Sequence, residues 1–141
     1  MHFPPNRLAL FLAMLVAALL PARAGVTPQI TGTSVPPVFL TGTADALDAT
    51  SSGFYEVKTA AADAMTLVAP ALAAEGNIIE VVSDTLYAHT ITATTLLANG
   101  TALKTTATFP AYRGAYIKLR ASNGIWQVLS NGASAGVVVL T

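Results

Sequence analysis

The chain has 141 residues, the length of a single domain. Hydrophobic residues make up 53% of it and charged residues only 10%, which excludes a disordered acidic or basic tail. Seven basic and seven acidic residues leave no net charge, so we expect no binding to nucleic acid or to anionic membranes. Cysteine is absent, which excludes disulfides and thiolate chemistry.

The N-terminus has the pattern of a secretory signal peptide. A short region with one basic residue ends at Arg7, residues 8–20 are apolar, and Pro21 precedes the small-x-small sequence of residues 22–24. As a helix, the apolar run spans about 20 Å, which is shorter than a hydrocarbon core of about 30 Å. We therefore predict an apolar leader helix at residues 1–24 that is cleaved after Ala24, and no stable membrane span. An uncleaved helix that packs in an assembly, or a misplaced start codon, is the alternative.

Residues 25–52 are rich in threonine, serine, glycine and proline. Proline fixes φ and lacks a backbone N–H, so this composition predicts an extended arm that leads into the domain. The arm contains one short apolar island, Val38-Phe39-Leu40. We expect this island to dock on the core or on a neighbouring subunit.

Residues 53–141 have the periodicity of β-strands, with apolar and polar residues in alternation. In residues 116–120 the pattern places Ile117 and Leu119 on the inner face. Asn123-Gly124 separates two such runs and predicts a tight hairpin, because a type I′ turn needs two positive φ angles. Strands recur about every 10–15 residues, so the predicted fold is all-β, a small antiparallel β-sandwich or barrel.

The sequence contains no motif for a nucleophile, a phosphate loop, a dinucleotide site or a metal site. His89 is the only histidine after residue 24, and the sequence shows no motif that would give it a catalytic or metal-binding partner. Asp45 and Asp48 are expected to lie in a loop, where they are solvated and cap a turn. We therefore predict a protein that is not an enzyme, with no cofactor and no metal. Carboxylate pairs of glycoside hydrolases meet in space and not in sequence, so a small secreted hydrolase stays open as an alternative.

Aromatic and basic residues are interleaved towards the C-terminus. Tyr112, Tyr116 and Arg120 form a candidate surface for binding, and Trp126 would extend it as a platform for sugars. The alternation at residues 116–120 favours a plain solvated face for Lys118 and Arg120. A secreted or periplasmic β-sandwich that binds glycans is therefore the alternative function.

Five segments, taken in order, resemble a family of small virion proteins of tailed bacteriophages found as head-decoration, head-fibre and tail-associated components. They are residues 59–70 (TAAADAMTLVAP), 77–83 (NIIEVVS), 87–93 (YAHTITA), 107–109 (ATF) and 123–130 (NGIWQVLS). The resemblance spans residues 55–140. It departs from the family at Ser122, where an aromatic residue usually precedes the hairpin turn.

The resemblance implies a structural protein of the virion surface that binds the major capsid or tail protein and forms a homo-oligomer, with a trimer expected. The arm would attach to the particle through Val38, Phe39 and Leu40. The terminal strand contains Val137, Val138 and Val139. We expect it to be an unpaired edge strand that contacts another copy. Under the alternative function the protein is secreted or periplasmic after cleavage at Ala24.

Overall fold

β-Strands provide nearly all of the regular structure, as the alternating runs predict. The computed structural model describes residues 36–98, 102–132 and 137–141, all within one compact unit, Ser34–Thr141. These residues form nine strands and one 3-10 helix, Leu72–Ala74. The strands are β1 Val38–Leu40, β2 Gly53–Val57, β3 Ala64–Leu67, β4 Ile78–Ser83, β5 Thr90–Ala98, β6 Ala102–Thr108, β7 Tyr116–Ser122, β8 Ile125–Gly132 and β9 Val139–Leu140. The all-β prediction is confirmed.

The strands form one mixed sheet, so the prediction of a purely antiparallel sheet is wrong. The strand order is β1-β2-β4-β7-β8-β5-β6-β9, and β3 lies beside the first half of β5. Four pairs are parallel: β1 with β2, β2 with β4, β3 with β5, and β5 with β8. Alternation in a sequence shows which residues share a face, but it does not show the direction of the neighbouring strand. Parallel neighbours need crossover connections, and here the chain passes through β3 and the 3-10 helix between β2 and β4.

The strand β5 joins two parts of the sheet. Its first half pairs with β3 and β6, whereas Leu96 in its second half is opposite Trp126 of β8. The register against β6 shifts between Thr92 and Leu96. Irregularities of this kind bend a strand and increase its twist. The irregularity lies where β5 changes its neighbour from β3 to β8.

The buried apolar residues form one hydrophobic core. Leu40 of β1 and Val138, which precedes β9, belong to the same buried cluster although they come from opposite ends of the strand order. Ile117 and Leu119 face this core, as their alternation predicts. Each fully buried aliphatic side chain contributes about 1.5–3 kcal/mol relative to exposure. The core is therefore the main source of stability in this cysteine-free chain.

Residues 36–52 are built into the domain and do not form the predicted extended arm. β1 pairs in parallel with β2, and Leu40 and Leu47 are buried in the core. After β1 the chain runs beside β3: the backbone N–H of Leu47 donates to the Thr66 carbonyl at 2.9 Å, and the Thr66 N–H donates to the Asp45 carbonyl at 2.9 Å. The composition of this segment predicted an irregular, extended conformation. The apolar residues Leu40 and Leu47 nevertheless anchor the segment in the core.

Asp48 caps the turn that leads into β2, as predicted. Its carboxylate accepts hydrogen bonds from the hydroxyls of Ser51 and Thr50, both at 2.6 Å, and from the backbone N–H of Thr50 at 2.8 Å. These bonds, that of Ser51 first, lower the pKa of Asp48 from 3.8 to about 2. The charged form of Asp48 thus stabilises the turn.

The Asn123-Gly124 prediction is confirmed. These two residues connect β7 to β8 with φ angles of 52° and 74°, and Ser122 pairs with Ile125 across the turn. Both angles lie in the left-handed region that a type I′ turn requires.

The predicted leader, residues 1–24, and the first part of the predicted arm, residues 25–35, lie outside the described residues. In the ranges that the structure describes, no helix has the length and hydrophobicity needed to cross a membrane.

Candidate functional site

An open pocket lies at one end of the sheet, where three loops meet. Because β2 and β4 are adjacent and parallel, their carboxyl ends share one edge, and the antiparallel β7 begins at the same edge. The pocket has a volume of about 400 Å³. It is lined by Lys58, Thr59, Ala60, Asp84, Thr85, Leu86, Tyr87 and Arg113.

Charged side chains form one part of the pocket rim. Asp84 lies between two cations, 4.0 Å from the Lys58 Nζ and 3.8 Å from the Arg113 Nε. Lys58 also lies 3.2 Å from Glu56, which is outside the pocket lining. These pairs are partly exposed, and such pairs stabilise a fold by only about 0–1 kcal/mol. The rim charges therefore contribute little to folding and are accessible to a ligand or partner.

His89 is fully buried and hydrogen-bonded through both ring nitrogens. The backbone N–H of Asp63 lies 3.1 Å from Nδ1, and Nε2 lies 2.5 Å from Oγ1 of Thr85, a residue of the pocket lining. The carbonyl of His89 accepts the backbone N–H of Phe109 at 2.8 Å. His89 thus ties the loop before β3 to the loop before β5 and to the end of β6.

These hydrogen bonds fix the tautomer of His89. Because Nδ1 accepts the Asp63 N–H, Nε2 carries the proton and donates it to Thr85. Burial lowers the pKa of His89, which favours this neutral form. A base that activates a hydroxyl must accept its proton, so this imidazole orients Thr85 without activating it. The cluster is a structural clamp beneath the pocket.

Asp63 is a buried acid next to this clamp, with 1% of its surface exposed. Its Oδ1 accepts the backbone N–H of Asp45 at 3.2 Å, and its Oδ2 has no hydrogen-bond partner among the residues that the structure describes. Burial is the main reason that the pKa of Asp63 is raised, and the negative charge of Asp45 raises it further. In the part of the chain that the structure describes, no group of three His, Cys, Asp or Glu side chains is placed to hold a metal.

The six apolar residues predicted as contacts divide into two sets. Leu40 and Val138 are buried in the core, so they are not available to a partner. Leu40 is buried because it lies beside Val57, another core residue. The four exposed residues are Val38, Phe39, Val137 and Val139.

The terminal strand is the last in the strand order, so one of its edges is paired and the other has no strand beside it among the described residues. β9 is antiparallel to β6, and the backbone of Thr141 continues this pairing with Thr106. On β8, Nδ2 of Asn131 donates to the Val138 carbonyl at 2.9 Å. This strand therefore offers a partner its outer backbone edge and the side chains of Val137 and Val139.

Tyr116 and Arg120 share the outer face of β7, as predicted, and Tyr112 lies half-buried in the preceding loop. On this face Lys118 pairs with Glu80 at 3.1 Å, and Arg120 donates to Oε1 of Gln127 at 2.7 Å. These contacts fit a solvated face. The structure does not bring Tyr112 onto the strand with the other two residues.

Trp126 was predicted as a platform for sugars, and this prediction is wrong. Its side chain is 0% exposed in the core, and its Nε1–H donates to the carbonyl of Val68 at 2.8 Å. Alternation along β8 places it on the inner face, opposite Ala121. A buried ring cannot stack on a ligand.

Sequence reasoning missed the pocket because its residues are far apart in the chain. Lys58 follows β2, Asp84 follows β4, and Arg113 precedes β7. Charged residues directly after two apolar runs were the available signal. This signal becomes useful only once the parallel pairing of β2 with β4 is known.

No protein-family model matches the chain, and a search of curated proteins finds no match either.

Proposed function

We propose that this protein is a non-enzymatic structural subunit that self-associates and binds the surface of a tailed-bacteriophage particle. The observation that carries the proposal is the exposure of large apolar side chains at both ends of the strand order. Val38 and Phe39 are exposed on β1, and Val137 and Val139 are exposed at β9. Where exposed apolar residues form a contiguous patch on a folded domain, the patch is typical of a surface that another protein covers.

The low charge of the chain supports the same proposal. Charged residues make up only 10% of the sequence, and on the outer face of the sheet Lys118 is already paired with Glu80. Depletion of unpaired charge is characteristic of the core of protein interfaces. Association with further copies would also stabilise a small cysteine-free domain by mass action.

Within this proposal the mixed sheet is curled into a small sandwich or barrel. The bond from Asn131 of β8 to the Val138 carbonyl links the end of the strand order back to β8. This bond leaves β1 and β9 as edge strands, to which another chain can add. Contacts with other copies would then be made by these edges and their exposed side chains, with a trimer as the assembly and the major capsid or tail protein as the partner.

Size-exclusion chromatography with light scattering on the full chain tests self-association. We expect an oligomer at micromolar concentration, and a lower mass for the variant Val137→Asp/Val139→Asp, because the two aspartates place charge in an apolar contact. Thr94→Asp changes an exposed residue of β5 and serves as the control. A monomeric wild-type chain would contradict the proposal.

Mass spectrometry of purified phage particles tests the location. Peptides from residues 36–141 in stoichiometric amount are expected, and their absence from the particles combined with presence in the periplasm or medium would favour the secreted binding module. The same spectra show whether residues 1–24 are retained.

A further inference from the structure

The pocket at the carboxyl ends of β2 and β4 holds polar groups that the fold leaves without hydrogen bonds. Asp84 lies 4.0 Å from the Nζ of Lys58 and 3.8 Å from the Nε of Arg113, and both distances exceed those of hydrogen bonds. Among the residues that the structure describes, the carboxylate of Asp84 and the guanidinium of Arg113 have no hydrogen-bond partner. An acceptor and a donor of charge-assisted hydrogen bonds are therefore adjacent and accessible to a ligand.

The charges around the pocket cancel. Lys58 and Arg113 are balanced by Asp84 and by Glu56, whose carboxylate lies 3.2 Å from the Nζ of Lys58. A site that attracts anions needs an excess of positive charge, and a site for a metal cation needs several converging oxygen ligands. The rim of this pocket provides neither. It favours a ligand that has no net charge and that both donates and accepts hydrogen bonds.

Next to this charged rim the wall of the pocket is apolar. Leu86 and Tyr87 line the pocket, and they are 66% and 46% exposed. An exposed tyrosine ring offers a flat apolar face and loses little conformational entropy on binding, because the side chain has only two χ angles. A pyranose ring has C–H groups on its faces and hydroxyls around its edge. An apolar wall beside adjacent donors and acceptors therefore matches both parts of a sugar.

Contacts within the chain hold the wall and the rim in place before a ligand arrives. The backbone N–H of Tyr87 donates to Oγ1 of Thr85 at 3.2 Å, and the buried His89 holds the same hydroxyl. On the rim, the Nζ of Lys58 lies over the ring of Phe39, 4.6 Å from its centroid. Preorganised sites bind more tightly because less conformational entropy is lost on binding.

The volume of the pocket is that of a site for a small ligand. Its 400 Å³ lies near the lower end of the range of about 300–1,000 Å³ that is typical of such sites. We propose that the pocket binds a neutral sugar of one or two rings, which stacks on Tyr87 and shares its hydroxyls between Asp84 and Arg113. This inference does not depend on the proposed self-association. It places the sugar away from the outer face of β7, the binding surface that the sequence predicted.

Ligand-observed NMR on the full chain tests the site. Saturation-transfer spectra are recorded with glucose, galactose, mannose, N-acetylglucosamine, lactose and maltose, each at about 10 mM, because a small polar ligand in an open site binds with a millimolar dissociation constant. We expect at least one of these sugars to bind, and isothermal titration then gives its dissociation constant. Absence of saturation transfer to every sugar would overturn the inference.

Charged probes test the class of ligand. Inorganic phosphate and the free amino acid leucine, a zwitterion, are added to the complex with the bound sugar. Neither is expected to displace the sugar, because the charges of the rim cancel. Displacement by phosphate would identify an anion site and displacement by leucine a zwitterion site, and either result would overturn the inference.

Two variants locate the bound sugar. Tyr87→Ala removes the stacking face and Asp84→Ala removes the acceptor, and each is expected to weaken binding by about tenfold. Both positions are partly exposed, so the melting temperatures should stay close to that of the wild type. Unchanged binding in both variants would overturn the inference.

Two further variants on the outer face of the sheet are the matched controls. Glu80→Ala removes an acid that pairs with Lys118, and Tyr116→Ala tests the rival surface on β7. Neither is expected to change the dissociation constant of the sugar. Weaker binding in Tyr116→Ala together with unchanged binding in Tyr87→Ala would place the sugar on β7 and would overturn the proposed site.

Discussion

The backbone N–H of Asp63 donates a hydrogen bond to Nδ1 of His89 at 3.1 Å, across 26 residues of sequence. The same two segments pair directly afterwards, because the Thr90 N–H donates to the Asp63 carbonyl at 2.9 Å and β3 continues in parallel with β5. The imidazole therefore lies where the parallel strands β3 and β5 begin. Its contact with Asp63 helps to fix the register of these strands, and its contact with Thr85 supports the base of the pocket.

Replacing His89 by alanine is expected to destabilise the protein strongly. The change leaves a cavity and removes the partners of the Asp63 N–H and of Thr85, which together cost on the order of 2–4 kcal/mol. Urea unfolding followed by the fluorescence of Trp126 measures the loss. Leu86→Ala, at an exposed position nearby, is the control and is expected to change stability by less than about 0.5 kcal/mol. Equal stability of the two variants would contradict the clamp.

The pKa of His89 predicts how stability depends on pH. Burial lowers its pKa in the folded state, so below its ordinary value of 6.5 the unfolded chain binds a proton that the folded chain resists. The contribution of His89 is complete above pH 6.5 and is lost as pH falls below it. Because Asp63 titrates in the opposite sense, the effect is measured in Asp63→Asn, whose free energy of unfolding is expected to rise between pH 5 and 7. A flat profile in this variant would show that His89 is accessible to protons.

Asp63→Asn is expected to stabilise the protein at neutral pH. Burial raises the pKa of Asp63 in the folded state, so its favourable contribution is present below the ordinary value of 3.8 and is lost as pH rises through the folded pKa. Asparagine keeps an acceptor for the Asp45 N–H and adds a donor beside the Asp45 carboxylate, a gain of about 1 kcal/mol. Urea unfolding at pH 4 and pH 8 should show the advantage of the variant only at the higher pH.

Asp48→Asn is the matched control for that experiment. Hydrogen bonds from Ser51 and Thr50 lower the pKa of Asp48 to about 2, so its contribution is present above pH 3.8 and is lost as pH falls towards 2. This variant should therefore be less stable than wild type at neutral pH. The opposite signs at Asp63 and Asp48 distinguish an effect of burial from a general effect of removing charge. Destabilisation by both substitutions at pH 8 would refute the account of Asp63.

Much of the fold follows from the sequence because the alternation of apolar and polar residues shows which side of each strand faces the core. Ile117 and Leu119 were placed inward, and the hairpin at Asn123-Gly124 was located, from local patterns alone. Strand direction did not follow, because partners such as β2 and β4 are joined by a long crossover whose path depends on tertiary packing. The Thr- and Pro-rich composition of residues 36–52 likewise concealed that Leu40 and Leu47 belong to the core.

The candidate site was less predictable than the fold. Lys58, Asp84 and Arg113 meet only because three strands share one edge, and no local spacing encodes this. His89 looked isolated in the sequence because its main partner is a backbone N–H, which every residue except proline possesses. Trp126 was misplaced because an aromatic residue near basic residues is typical of a binding face, while its position on β8 directs it inward.

The turn at Asn123-Gly124 gives a test of backbone conformation alone. Gly124 has a φ of 74° and an added Cβ would meet no atom closer than 4.0 Å, so Gly124→Ala introduces strain without a clash. The left-handed conformation makes this change unfavourable by about 1 kcal/mol, measured as a shift in the urea midpoint with an unchanged slope. Asn123→Gly is the control, because glycine accepts the φ of 52° freely and should leave stability nearly unchanged. If Gly124→Ala is as stable as wild type, the turn is not type I′ in solution.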